Sequence, residues 1–107
     1  MKKIFLTMFS LFFLSSAYAN CRIDISNYVG WTIIYAGKVT GYVDEKENVQ
    51  DSFEGCEYDR ILILDDSKQV ICQTYSYSYA YRPDIVIMKN GFSVKACIGN
   101  KMYDISL

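Results

Sequence analysis

Between Cys72 and Arg82 the chain alternates large and small side chains without a break, Tyr75, Tyr77, Tyr79 and Tyr81 against Thr74, Ser76, Ser78 and Ala80. A period of two is the strand period, so the four rings share one face and the small residues the other. The same period runs through Trp31 to Val43, where Trp31, Ile33, Tyr35, Val39 and Val43 alternate with Thr32, Lys38 and Thr40. Gly37 and Gly41 interrupt that row, as at bulges or the sharp bends of a closing barrel. Further on, Asp59 to Leu64 and Gln69 to Cys72 flank the polar turn Asp65-Asp66-Ser67-Lys68. Pairing Leu64 with Gln69 sets Ile61 opposite Cys72, Leu62 opposite Ile71 and Ile63 opposite Val70. Both faces of this hairpin are apolar, which predicts a central place in the sheet.

Pro83 ends the tyrosine run, since proline donates nothing to a ladder and favours an extended Arg82. Two hairpins follow. Asn90-Gly91 reads as a type I′ turn pairing Lys89 with Phe92, Ile87 with Val94 and Ile85 with Ala96. Gly99-Asn100 reads as a second two-residue turn, pairing Ile98 with Lys101, Ala96 with Tyr103 and Val94 with Ile105. The two registers agree in placing Ile85, Ile87, Val94, Ala96, Tyr103 and Ile105 on one face, the consistency expected of a real fold. No amphipathic helix competes, and residues 22–29 have room for a single turn or a short strand. The pattern predicts an all-β fold, a small antiparallel meander or barrel of five to six strands.

The start of the chain changes the picture of where this domain works. Lys2 and Lys3, the apolar run Ile4 to Leu14 and Ala17-Tyr18-Ala19 have the form of a cleaved signal peptide over residues 1–19. The run is too short to span a membrane, so no membrane insertion is expected after cleavage. Residues 20–107 then form one small β domain, periplasmic or secreted, expected to act as a monomer. Asn20 stands where a lipoprotein signal wants a small residue before Cys21, which argues against lipidation. Cys21, Cys56, Cys72 and Cys97 all lie in the exported part, an even count that reads as two disulfides. Four cysteines allow three pairings. No close Cys-x-x-Cys spacing supports a metal site instead.

Charge excludes some partners. The chain has 11 basic and 12 acidic residues, and without Lys2 and Lys3 the balance is 9 against 12, a net of −3. That speaks against nucleic acid or an anionic membrane. Asp44, Glu45, Glu47, Asp51, Glu54, Glu57 and Asp59 form an acidic stretch whose spacing fits no Ca²⁺ loop and reads as a solvated connection. Chemistry is short of parts. With no histidine, neither a Ser-His nor a Cys-His nucleophile pair can form. Glu54, Glu57 and Asp59 could serve as an acid and base pair, but Glu54 and Asp59 read better as partners of Arg60 or Arg82 or as caps of turns near Cys56. No phosphate loop appears, and no cofactor is expected.

Several segments together resemble a family of small exported bacterial proteins with no assigned activity. They are Tyr28-Val29-Gly30-Trp31-Thr32-Ile33, Gly41-Tyr42, Phe53 to Arg60 (FEGCEYDR), Asp65-Asp66, and Cys72 followed by Tyr75 to Pro83 (YSYSYAYRP). The resemblance covers most of the exported chain and transfers no catalytic residues. Its pattern carries one cysteine in each of the two main motifs, which implies a Cys56–Cys72 bond. Cys21 and Cys97 lie outside that pattern and would form a second bond. Cys97 falls on the face opposite Val94, Ala96 and Ile98, where a segment laid over the outside of the sheet, such as the one carrying Cys21, can reach it.

The tyrosine row has two readings. Tyrosine offers a large rigid contact area with a polar tip, suited to recognition; alternatively the rings fill the core. A mixture is expected, with Tyr75 and Tyr77 buried, and Tyr79, Tyr81 and Arg82 forming a binding surface at the barrel's end. The whole reads as a non-catalytic binding or inhibitory module whose partner is an envelope protein or a hydrolase. The alternatives are a structural accessory of a cell-envelope complex and, less well supported, a carboxylate-dependent hydrolase.

Overall fold

The computed structural model describes residues 21–107, so the signal-peptide reading and the cleavage site lie outside the described residues. Seven strands follow one another: β1 (Thr32–Val43), β2 (Val49–Gln50), β3 (Ile61–Leu64), β4 (Lys68–Cys72), β5 (Asp84–Asn90), β6 (Ser93–Ile98) and β7 (Lys101–Ser106). They are hydrogen-bonded in the order β2-β1-β3-β4-β7-β6-β5, and β5 pairs back onto β1. Six strands thereby close into an antiparallel barrel, with the two-residue β2 an extra strand on β1. The all-β expectation holds. Ahead of β1 the chain makes one 3-10 turn, Ile25–Tyr28, capped by the Asp24 carboxylate accepting from the Ser26 N–H.

Register departs from expectation at the β3–β4 and β5–β6 hairpins and agrees with it at β6–β7. Gly99 and Asn100 are both left-handed (φ 56° and 75°), and the turn pairs Ile98 with Lys101 and Ala96 with Tyr103 as predicted. The neighbouring hairpin turns on Gly91-Phe92, not Asn90-Gly91, so Lys89 faces Val94 and Ile87 faces Ala96. Gly91, with φ 63°, takes the first central position, where glycine carries no steric penalty. Sliding the turn by one residue moves the register by two, which leaves every side chain on its predicted face. Accordingly Ile85, Ile87, Ala96, Tyr103 and Ile105 are buried and Val94 packs partly buried against them. In the β3–β4 hairpin the slip is one residue. Asp65 and Asp66 both go left-handed, the Ser67 N–H closes on the Leu64 carbonyl at 3.0 Å, and Lys68 joins the strand. Ile61 therefore faces Ile71, and Leu62 faces Val70. The hairpin is central, between β1 and β7.

The two bulges of β1 fall between Ile33 and Tyr35 and between Val39 and Gly41, so Gly37 stays in register. Gly37 has a different purpose: a Cβ there would stand 2.1 Å from the Asp65 carboxylate. Val39, Leu62, Leu64, Val70, Ile87 and Ile98 anchor the interior. At roughly 25 cal/mol per Å², burying such side chains is the main favourable contribution to folding.

Both bridges are present, Cys56–Cys72 with Cα atoms 5.5 Å apart and Cys21–Cys97 at 5.9 Å. Such bonds belong to an oxidising, extracytoplasmic setting. Cys97 points outward from the sheet yet is fully buried, and Val86 and Met88 on its neighbour β5 are largely buried beside it. The N-terminal strap covers this side: Ile23, Tyr28 and Trp31 gather around Met88, and the Arg22 N–H donates to Asn100 Oδ1 at 2.9 Å. Among the described residues no helix is long and apolar enough to cross a membrane.

Candidate functional site

The chain from the end of β4 to the start of β5 crosses one mouth of the barrel, and this crossing carries the tyrosines. It runs antiparallel to the stretch around Cys56. The Phe53 N–H donates to Ala80 C=O (3.0 Å) and Ala80 N–H to Phe53 C=O (2.9 Å); Cys56 and Ser76 exchange the same pair at 2.8 and 2.9 Å. The alternation read from the sequence therefore persists, but Tyr75 and Tyr77, expected in the core, face outward with Tyr79 and Tyr81. Tyr75, Tyr77, Tyr79 and Tyr81 are 64, 64, 60 and 65% exposed, so none of the four is core.

What decides the side is the thickness of the ribbon. Ser76, Ser78 and Ala80 are small enough to let the backbone settle onto Phe53 and Cys56, which are both almost fully buried. Gly55 marks how closely it settles. With φ 88°, its missing Cβ would stand 2.1 Å from the Ser76 carbonyl oxygen and 2.7 Å from the Tyr77 Cα. Beneath lies Tyr103, edge-to-face with Phe53 at 5.8 Å between ring centres. Burial pushes the Tyr103 phenol up from its ordinary value, with Ser78 beside it working the other way. Large rings turned inward would lift the ribbon off this floor, so they face water.

Arg82 ends the row. The sequence predicts an extended residue before Pro83, but Arg82 is left-handed (φ 48°), because the chain must bend from the ribbon into β5 while the Pro83 carbonyl accepts from the Val39 N–H. The bend brings the guanidinium carbon 5.5 Å from the centre of the Tyr81 ring. Tyr81 and Arg82 thus stand together at the mouth, with Tyr79 two residues earlier in the same exposed row.

The acidic stretch around the same mouth is used locally. Asp44 accepts from the N–H groups of Lys46 (2.9 Å) and Asn48 (2.8 Å) and from Gln50 Nε2 (2.9 Å), and these bonds hold its carboxyl below the ordinary range. Arg60 pairs with Glu57 (3.0 Å), where Glu54 and Asp59 were expected, and lies 4.3 Å over the Tyr42 ring. Among the described residues no three acidic or cysteine side chains gather as a metal site would require.

The opposite end holds something the sequence reading missed. An open recess of about 420 Å³ lies between the start of β1 and the β3–β4 hairpin, bordered by Ile34, Tyr35, Lys68 and Leu107 and floored by Leu64, Val70 and Ile87. Tyr35 donates its hydroxyl to Asp65 there. Burial first, then that bond and the carboxylate's charge, push its phenol up to about 12. The signal was a length mismatch, a long alternating run facing a hairpin arm of four apolar residues. Comparison of the chain with protein-family models, with curated proteins and with solved structures found no match.

Proposed function

We propose that the chain is a small extracytoplasmic binding or inhibitory module, non-catalytic, whose recognition surface is the tyrosine ribbon, centred on Tyr79, Tyr81 and Arg82. The observation that carries this reading is the uniform exposure of four tyrosines on a backbone fixed by four hydrogen bonds. Rings displayed on a rigid ribbon offer contact area with little ordering cost on binding, which favours a protein partner such as an envelope protein or a hydrolase. Composition supports the absence of catalysis, since no histidine is present to serve as a base. The resemblance to small exported bacterial proteins supports the location.

The test is affinity capture from an extracytoplasmic fraction with the wild type and with Tyr79→Ala/Tyr81→Ala. Exposed substitutions of this kind change stability by about 0.5 kcal/mol or less each. The wild type should retain one soluble partner stoichiometrically and the double variant should lose it with its unfolding midpoint unchanged. Equal capture by both, or unfolding of the variant, removes the ribbon from recognition.

A further inference from the structure

The edge of β1 that borders the recess is unoccupied by strand along half its length. One edge of β1 pairs with β5 from Thr32 to Lys38 and then with β2 at Tyr42 and Val43. The other pairs with β3, and only from Val39 to Val43, because β3 is four residues long. Just above the gap, the Asp65 N–H donates to the Lys38 carbonyl at 3.0 Å and closes the corner. From Thr32 to Gly37 no strand lies on that edge among the described residues.

We propose that this edge is a strand-addition site, where an extended segment of another polypeptide completes the barrel wall and places an apolar side chain in the recess. Three observations converge. A row of main-chain donors and acceptors is recognised by another extended backbone, whereas a small ligand could fill the recess but leave the row unmet. The recess opens onto the inner face, over Leu64, Val70 and Ile87, where alternate side chains of an added strand would point. Two of the usual protections of an edge are missing as well: Thr32-Ile33-Ile34-Tyr35-Ala36-Gly37 contains neither charge nor proline, and the one bulge, between Ile33 and Tyr35, leaves Ile33 65% and Ile34 43% exposed. The occupant is therefore a neutral extended peptide segment of a partner protein, with bulky apolar residues at alternate positions. This site is separate from the tyrosine ribbon at the other end.

The probe is a fluorescein-labelled panel of heptapeptides alternating threonine with leucine, isoleucine, valine, phenylalanine or tryptophan, titrated against the intact protein by anisotropy. At least one should bind saturably and slow hydrogen exchange at the amides of Thr32 to Gly37. N-methylating its alternate amides should weaken binding about tenfold or more, since each methyl group removes a backbone donor from the added strand. Ile34→Lys should weaken it similarly, and Tyr79→Ala/Tyr81→Ala should leave it unchanged. The proposal is overturned if no peptide of the panel binds at millimolar concentration, if the N-methylated peptide binds equally, or if protection appears away from β1. Self-association of the protein through this edge, seen as a dimer that Ile34→Lys dissolves, overturns it in favour of a second copy.

Discussion

The two ends of this barrel meet the same problem, an apolar interior that strands alone do not cover, and meet it differently. At one end the crossing from β4 to β5 lies flat over Phe53 and Tyr103, pinned through Cys56 and Cys72. At the other, β1 runs past the end of β3 and leaves Leu64, Val70 and Ile87 at the bottom of an open recess. The difference follows from side-chain size. A lid needs a thin face, which Ser76, Ser78 and Ala80 supply, and its thick face is then displayed to water. Among the described residues no such segment reaches the other end, where the Tyr35–Asp65 contact and Leu107 give partial cover.

Breaking the closed end should have the largest effect. Phe53→Ala removes the ring under the ribbon and should cost about 3–5 kcal/mol, with faster exchange at the Ser76 and Ala80 amides; an unchanged urea midpoint would show that the ribbon is held by its bridge alone. Replacing both Cys56 and Cys72 with alanine should cost about 3 kcal/mol on chain-entropy grounds, measured the same way, before counting the sulfur lost from the core. The open end should respond more weakly. Tyr35→Phe deletes one hydrogen bond and should cost about 1 kcal/mol near neutral pH. It also has a pH signature. Because the folded-state phenol titrates at about 12 against the ordinary 10.0, its stabilising contribution is whole below pH 10 and is lost as pH rises through 12. The stability difference between wild type and Tyr35→Phe should therefore shrink across that window, and a difference that stays constant would show that the Asp65 contact contributes nothing.

Much of this was legible in the sequence where the chain's neighbours decide its shape. Gly99-Asn100 set its hairpin correctly because both residues tolerate left-handed backbone. Asn90-Gly91-Phe92 offered two possible turns, and the parity of the strands protected the core assignment whichever formed. The β3–β4 hairpin had no such protection. Ile61, Leu62, Ile63 and Leu64 are all apolar, so the pattern could not reveal a one-residue slip, and two consecutive left-handed aspartates gave no signal of their own. The tyrosine row was legible as a period but not as a direction. Its direction is set by Phe53, Gly55 and Cys56, some twenty residues earlier, through contacts that no local pattern encodes. The recess was legible only as the length mismatch between β1 and β3, because its place is a consequence of which strands fail to meet.

The connectivity of the two bridges has a consequence for how the protein is made. They are nested, Cys56–Cys72 lying wholly within the span closed by Cys21–Cys97. A chain oxidised in the order in which its cysteines emerge during synthesis would join Cys21 to Cys56 and Cys72 to Cys97, and neither bond is native. The native set therefore requires that Cys21 wait as a thiol until the last cysteine has arrived, or that early bonds be exchanged by thiolate attack. Maturation thus depends on folding ahead of oxidation or on an isomerising thiol, a demand placed on the cell's redox machinery by the order of the cysteines along the chain.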